Sequence, residues 1–135
     1  MEIGLSARAT EAWLVQGADP FGATSRVIAN ASEAVGRIHK VELATGDALV
    51  VEGRAAPPNV LKIDVEGFEL DVLQGMPKQL ASPLLKHIFI EVHFTLLEER
   101  GLDGVPSQIE RLLRAAGFAV EWLDPSHIHA RRTSQ

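Results

Sequence analysis

Leu61-Lys62-Ile63-Asp64-Val65-Glu66-Gly67 is the stretch whose reading decides the fold. Val60 to Val65 is short, mostly apolar and rich in β-branched residues, the composition of a parallel strand buried on both faces. Its acids collect at the carboxyl end. Asp64 and Glu66 are two residues apart, so an extended chain places both on one face, with Lys62 just before them. Gly67 then permits a tight turn into a helix expected over Glu66 to Met76. In that helix Phe68, Val72 and Met76 recur at i, i+4 and i+8, with Leu73 beside them. Gly75 and Pro77 punctuate its end. The free N–H groups of a nascent helix favour carboxylates or anionic ligands. Two readings stay open for Asp64 and Glu66: helix caps, or acids that receive a hydroxyl or amine, act as a base, or hold a cation.

Working downstream, His87 to Phe94 reads as a second buried strand. Ile88, Ile90, Val92 and Phe94 share one face; Phe89, Glu91 and His93 share the other. Glu91 and His93 therefore repeat the Asp64/Glu66 arrangement at a strand's carboxyl end. If the two strands are neighbours, four polar groups converge. A base role for Glu91 or His93 requires only hydrogen-bond reach to a substrate proton. A metal site would need three or four ligands in register, and none is assigned. Pro106 to Ala116 is the clearest helix, with Ile109, Leu112, Leu113 and Ala116 at i, i+3, i+4 and i+7, and Gly117 just past its end. Phe118 to Leu123 is a third strand, stopped by Asp124-Pro125, and His127 to Arg131 can add a short fourth. His127 and His129 alternate onto one face, but a solvated terminal segment is the simpler reading. Trp13 and Trp122 sit in apolar runs and are read as core.

Upstream, the first 59 residues form an irregular, β-rich lead-in. Ala12 to Val15 and Arg26 to Ala29 suggest two short strands, with the turn-rich Gly17 to Gly22 between them, a hairpin-like elaboration. Lys40 to Ala44 is a further strand, and Thr45-Gly46-Asp47 looks like a turn. Pro57-Pro58 forces an extended approach to the segment that follows. Residues 1–135 then make one partial domain, with a strand–helix–strand–helix–strand core over 60–135. This alternation is the α/β signature, and in such sheets ligands bind outside the carboxyl ends of the strands.

Composition narrows the function classes. The chain has 135 residues and a formal net charge of -5, with 46% hydrophobic and 23% charged residues. That is an ordinary globular balance, and an acidic chain is poorly suited to phosphate backbones, so no nucleic-acid partner is expected. It has no cysteine, which excludes disulfides, thiolate metal sites and cysteine nucleophiles. No apolar run approaches the roughly 20 residues of a membrane span, and the start lacks a secretory pattern; no membrane association and a cytoplasmic location are expected. No Gly-x-Gly-x-x-Gly loop, phosphate-binding Gly-Lys-Ser/Thr or Gly-x-Ser-x-Gly elbow is present.

Leu61 to Met76 resembles the LKIDVEGxExxVLxG segment of the FkbM family of methyltransferases. Ile88-Phe89-Ile90-Glu91-Val92-His93 resembles that family's next strand, Gly117-Phe118-Ala119-Val120 its GF-x-V strand, and Gly4-Leu5-Ser6 through Leu14 the stretch before the motif. The resemblance implies the C-terminal half of a Rossmann-like class I methyltransferase sheet in three α/β/α layers. It also implies transfer of a methyl group from S-adenosylmethionine, often to an oxygen of a sugar or other small molecule. Asp64 would end the fourth strand beside the transferred methyl, touching cofactor, and Glu91 and His93 would end the fifth. Asp64 and Glu66 are then the first candidates for substrate orientation or base, and Glu91 and His93 the second. The family's glycine loop and its ribose-binding acid have no counterpart here. The expectation is therefore a truncated domain whose strand Val60 to Val65 is an exposed edge. A homo-oligomer or partner chain could cover that edge, and a non-catalytic module associating through it is the alternative.

Overall fold

The computed structural model describes residues 3–16, 26–28, 32 and 37–133. Two four-stranded sheets organise them. The first contains β1 (Ile3–Leu5), β2 (Thr10–Gln16), β3 (Arg26–Ile28) and β4 (Arg37–Ala44), in the order β1-β4-β2-β3. β2 pairs antiparallel with both β3 and β4, and β1 runs parallel to β4. The hairpin-like pairing expected of the lead-in is therefore present, although its turn, Gly17 to Gly22, and Ala29 lie outside the described residues. Thr45-Gly46-Asp47 is not a simple turn. It starts α1 (Gly46–Val51), because Thr45 Oγ1 accepts the Ala48 N–H at 3.1 Å and Asp47 sits in the first turn.

The second sheet holds β5 (Val60–Ile63), β6 (His87–Glu91), β7 (Phe118–Trp122) and β8 (His127–Arg132), ordered β5-β6-β8-β7. β5 and β6 are parallel, with Ile63 opposite Ile90; β8 is antiparallel to both β6 and β7. The two strongest strands of the sequence are thus neighbours, with their carboxyl ends side by side. β5 is an edge strand, and Val60 is 56% exposed.

The helix expected over Glu66 to Met76 is shorter and divided. α2 covers Glu69–Gln74 and α3 covers Pro77–Ala81. Glu66 (φ 52°) and Gly67 (φ 89°) both adopt left-handed backbone, and Phe68 N–H closes onto the Val65 carbonyl at 3.3 Å. Successive positive φ values make a tight type I′-like turn and delay the helix. Pro77, read as a stop signal, opens α3 instead, as suits its fixed φ and missing N–H. β6 is also shorter than expected. It ends at Glu91, and Phe94 begins α4 (Phe94–Glu99), so Phe94 leaves the buried face and is 39% exposed. α5 (Val105–Ala115) matches its periodicity, with Ile109 and Leu113 fully buried.

The core joins Ile63, Ile88, Ile90, Ile128 and Ala130 of the sheet to Val72, Leu73, Leu80, Leu97, Ile109 and Leu113 of the helices. These helices cover one sheet face. The other face carries Lys62, Phe89, Glu91, His127 and His129, and Phe89 is 37% exposed there. Trp122 is also not core. At the end of β7 it is 37% exposed, its Nε1 donates to Glu110 at 2.8 Å, and its ring leans on Phe94. Trp13 is half-buried.

Asp47 ties the lead-in to the core. Its carboxylate accepts the backbone N–H groups of Lys78 (2.9 Å) and Gln79 (3.0 Å), capping α3 from 30 residues away where the helix's own Met76 offers no side-chain cap. Asp47→Ala should therefore cost about 1–2 kcal/mol of unfolding free energy, read as a lower urea midpoint. A loss within experimental error would mean that water satisfies these N–H groups equally well.

Candidate active site

Asp64 follows β5 and Glu91 ends β6, so the parallel pairing alone puts their side chains at one edge of the sheet. Glu66 is brought in differently from what strand alternation predicts. It lies in the left-handed turn after β5, with its Oε2 3.8 Å from His93 Nε2. A non-glycine residue in that conformation costs roughly 1–2 kcal/mol. Surrounding contacts hold the turn: Arg100 donates to the Gly67 carbonyl at 2.6 Å and lays its guanidinium over the Phe68 ring.

His93 sits at the centre. Its Nδ1 is 2.7 Å from Glu69 Oε1, and its Nε2 faces Asp64 Oδ1 at 3.6 Å. Nδ1–H donates to the carboxylate, which leaves Nε2 toward Asp64 and Glu66. One ligand atom each from Asp64, Glu91 and His93 lies within 4.8 Å of the others. All four residues singled out in the sequence therefore converge. Lys62 is also present, with Nζ 3.0 Å from Asp64 Oδ2.

Two participants escaped the sequence reading. Glu69 is 0% exposed; its Oε1 accepts the Gly67 N–H at 2.9 Å as well as bonding His93, while its Oε2 has no hydrogen-bond partner among the described residues. Its signal was available: Glu69, Val72, Leu73 and Met76 stand at i, i+3, i+4 and i+7, so an acid occupies the apolar stripe of α2. The second is His127, read as part of a solvated segment. Its Nε2 is 3.6 Å from Glu91 Oε2, because β8 pairs with β6 and sets His127 opposite Glu91. His129 turns to other partners, Glu121 Oε1 at 2.9 Å and His87 Nδ1 at 3.0 Å, and stacks on Phe89.

Electrostatics follow the geometry. Burial desolvates His93 and pulls its pKa down, but the Glu69 hydrogen bond and the charges of Glu69, Glu66 and Glu91 together outweigh this and leave it above its ordinary value. Protonated His93 therefore favours the fold. That contribution is complete below roughly pH 6.5, the usual unfolded value, and fades as pH rises through the raised folded value. Glu69→Gln keeps the buried volume and removes the charge, so His93 should titrate at lower pH than in the parent chain. An NMR titration of the imidazole would show it, and an unchanged midpoint would mean the Glu69 charge is not what supports the cation. Around His127, the Ser126 backbone N–H and the His127 ring hold Asp124 down at about 2, and the Asp124 hydrogen bond raises His127.

The profile of the methyltransferase FkbM domain matches residues 6–120. The chain belongs to the FkbM methyltransferase family. Among curated proteins, the hexuronic acid methyltransferase AglP of Haloferax volcanii is 37% identical over 81 residues, 60% of this chain. The chain spans 30% of the length of that relative. No solved structure matches. Among the described residues of this FkbM chain, no helix is long and apolar enough to cross a membrane.

Proposed function

We propose that this chain carries the acceptor side of an S-adenosylmethionine-dependent O-methyltransferase acting on a sugar or other small molecule. A hexuronic acid is the first acceptor to try, by similarity to AglP. The observation that carries this reading is the convergence of Asp64, Glu66, Glu91 and His93 outside the carboxyl ends of the parallel strands β5 and β6, where α/β sheets take their ligands. When bound, S-adenosylmethionine supplies the methyl group. The carboxylate of Asp64 suits its sulfonium charge. The sequence has no glycine-rich loop for the adenosine, so no residue but Asp64 is assigned to the cofactor. In this reading the domain completes a Rossmann-like, three-layer sheet, with further strands on the β5 edge and helices over the Phe89 face.

The residues of this chain orient and deprotonate the acceptor. A hydroxyl placed between Asp64 and His93 meets a carboxylate that can accept its proton and an imidazole whose tautomer Glu69 has already set. Such positioning matters because methyl transfer is in-line and tolerates little misalignment.

A second reading rests on the uncovered edge of β5, with Val60 56% exposed: a non-catalytic module that associates with itself or a partner chain through that edge. Two measurements on the purified chain separate the readings. One is calorimetry with S-adenosylmethionine. The other is transfer of labelled methyl to a glucuronic acid glycan. Binding with transfer supports the first reading. Neither at millimolar ligand, with concentration-dependent association in sedimentation, supports the second.

A further inference from the structure

We propose that Asp64, Glu91 and His93 form a binding site for a divalent transition-metal cation. One ligand atom from each residue lies within 4.8 Å of the others, and the spacing has the character of a coordination sphere. Nε2 of His93 stands 3.6 Å from Asp64 Oδ1 and 3.8 Å from Glu66 Oε2. Those distances are too long for hydrogen bonds. Ligands bound at about 2.0–2.2 Å to one ion lie roughly 3–4.3 Å apart; the His93–Asp64 pair already has such a separation, and the 4.8 Å span of the three ligand atoms lies just above it. Partial exposure of the Asp64 and Glu91 side chains leaves them free to close the remaining distance.

The independent observation is Glu69. A fully buried carboxylate is costly unless its charge is answered, and Glu69 has one oxygen on His93 Nδ1 and the Gly67 N–H and the other without a partner among the described residues. A carboxylate on the far nitrogen of a histidine is the usual support of a metal-bound imidazole: it sets the tautomer, aims the ring and raises its basicity. Glu69 does this here and leaves Nε2 facing Asp64 Oδ1. Charge agrees. Asp64, Glu66, Glu69 and Glu91 bring four carboxylates to the site, and Lys62 Nζ, held by Asp64 Oδ2, leaves Oδ1 for the ion. One imidazole with carboxylate oxygens suits a cation such as Mn(II) or Zn(II) more than Cu(I). Positions left open by the three protein ligands would take oxygens of the acceptor.

The test uses the 135-residue chain, stripped of metal, and manganese(II) chloride as probe, with the free-ion electron paramagnetic resonance signal as readout. Loss of that signal should saturate near one ion per chain. His93→Ala should abolish saturable binding, and Asp64→Asn, an isosteric change at an exposed position outside the core, should weaken it at least about 10-fold. Glu69→Gln should weaken it about 10–100-fold, as loss of a supporting carboxylate does. His39→Ala, on β4 and away from the site, should leave it unchanged. No signal loss at millimolar manganese overturns the proposal, as does binding that survives both Asp64→Asn and His93→Ala. None of these readouts needs methyl transfer, so the metal site stands or falls separately from the proposed activity.

Discussion

Asp64→Asn should lower methyl transfer about 10²–10⁴-fold, the range associated with removing a general base. The substitution keeps the shape of the side chain and removes its charge. One oxygen of the Asp64 carboxylate is held and the other is open: Oδ2 bonds Lys62 Nζ at 3.0 Å, and Oδ1 faces His93 Nε2 at 3.6 Å. An amide keeps one acceptor for Lys62 but cannot take a proton from an acceptor hydroxyl. The loss should appear in kcat more than in KM, because the proton is in flight only in the transition state. Stability should change little, within about 0.5 kcal/mol, since the side chain is partly exposed and outside the core. Steady-state kinetics on the methylating enzyme, beside a circular dichroism melt, measure both. A loss below about 3-fold would remove Asp64 from the proton path and leave Glu91 as the acid to test.

Gly75→Ala should cost about 2–3 kcal/mol or more of unfolding free energy, seen as a lower urea midpoint. Gly75 ends α2 with φ of -81°, so left-handed backbone is not the reason for glycine here. Space is. A Cβ at this position would run into the carbonyl oxygen and carbon of Ser6 and press on Ala7. These are backbone atoms that cannot rotate away. Ser6 is fixed by its N–H on the Ala44 carbonyl at 3.0 Å, and Gly75 by its carbonyl on the Asp47 N–H at 3.2 Å. Gly53→Ala is the informative comparison: φ is +68° with nothing within 4 Å of the added carbon, so only the left-handed penalty of about 1–2 kcal/mol applies. A loss at Gly75 no larger than that at Gly53 would mean that the Ser6 backbone yields to the added carbon and that the lead-in does not press on α2.

These two positions show how unevenly the sequence discloses its structure. Asp64 could be placed without coordinates. An apolar β-branched run ending in acids says strand, carboxyl end and ligand side together, and the repeat in Ile88 to His93 says that a second strand does the same. Gly75 could also be noticed, but as helix punctuation. Its reason lies in Ser6, 69 residues earlier, and no local pattern reaches that far. The same holds for Thr45-Gly46-Asp47. Read as a turn, it starts a helix, and its aspartate caps another helix across the chain. Alternation continued past the end of β6 puts Phe94 inside, and its apolar run does the same for Trp122; β6 stops before Phe94, Trp122 is the last residue of β7, and both rings lie partly in solvent.

By itself the sequence determined the periodic elements of the 60–135 core and the four residues Asp64, Glu66, Glu91 and His93, because period and residue chemistry are local properties. It also carried the family, through a long motif whose order is unbroken. Tertiary structure decided how those residues meet. The parallel pairing of β5 with β6 sets Asp64 beside Glu91. The left-handed turn at Glu66 and Gly67 brings Glu66 in from off the strand. Glu69, buried under the same turn, fixes the ring of His93. Each of these depends on distances between segments far apart in the chain, and the physical cause is packing: the helices bury one face of the sheet, and its polar ends are left to converge at a single edge.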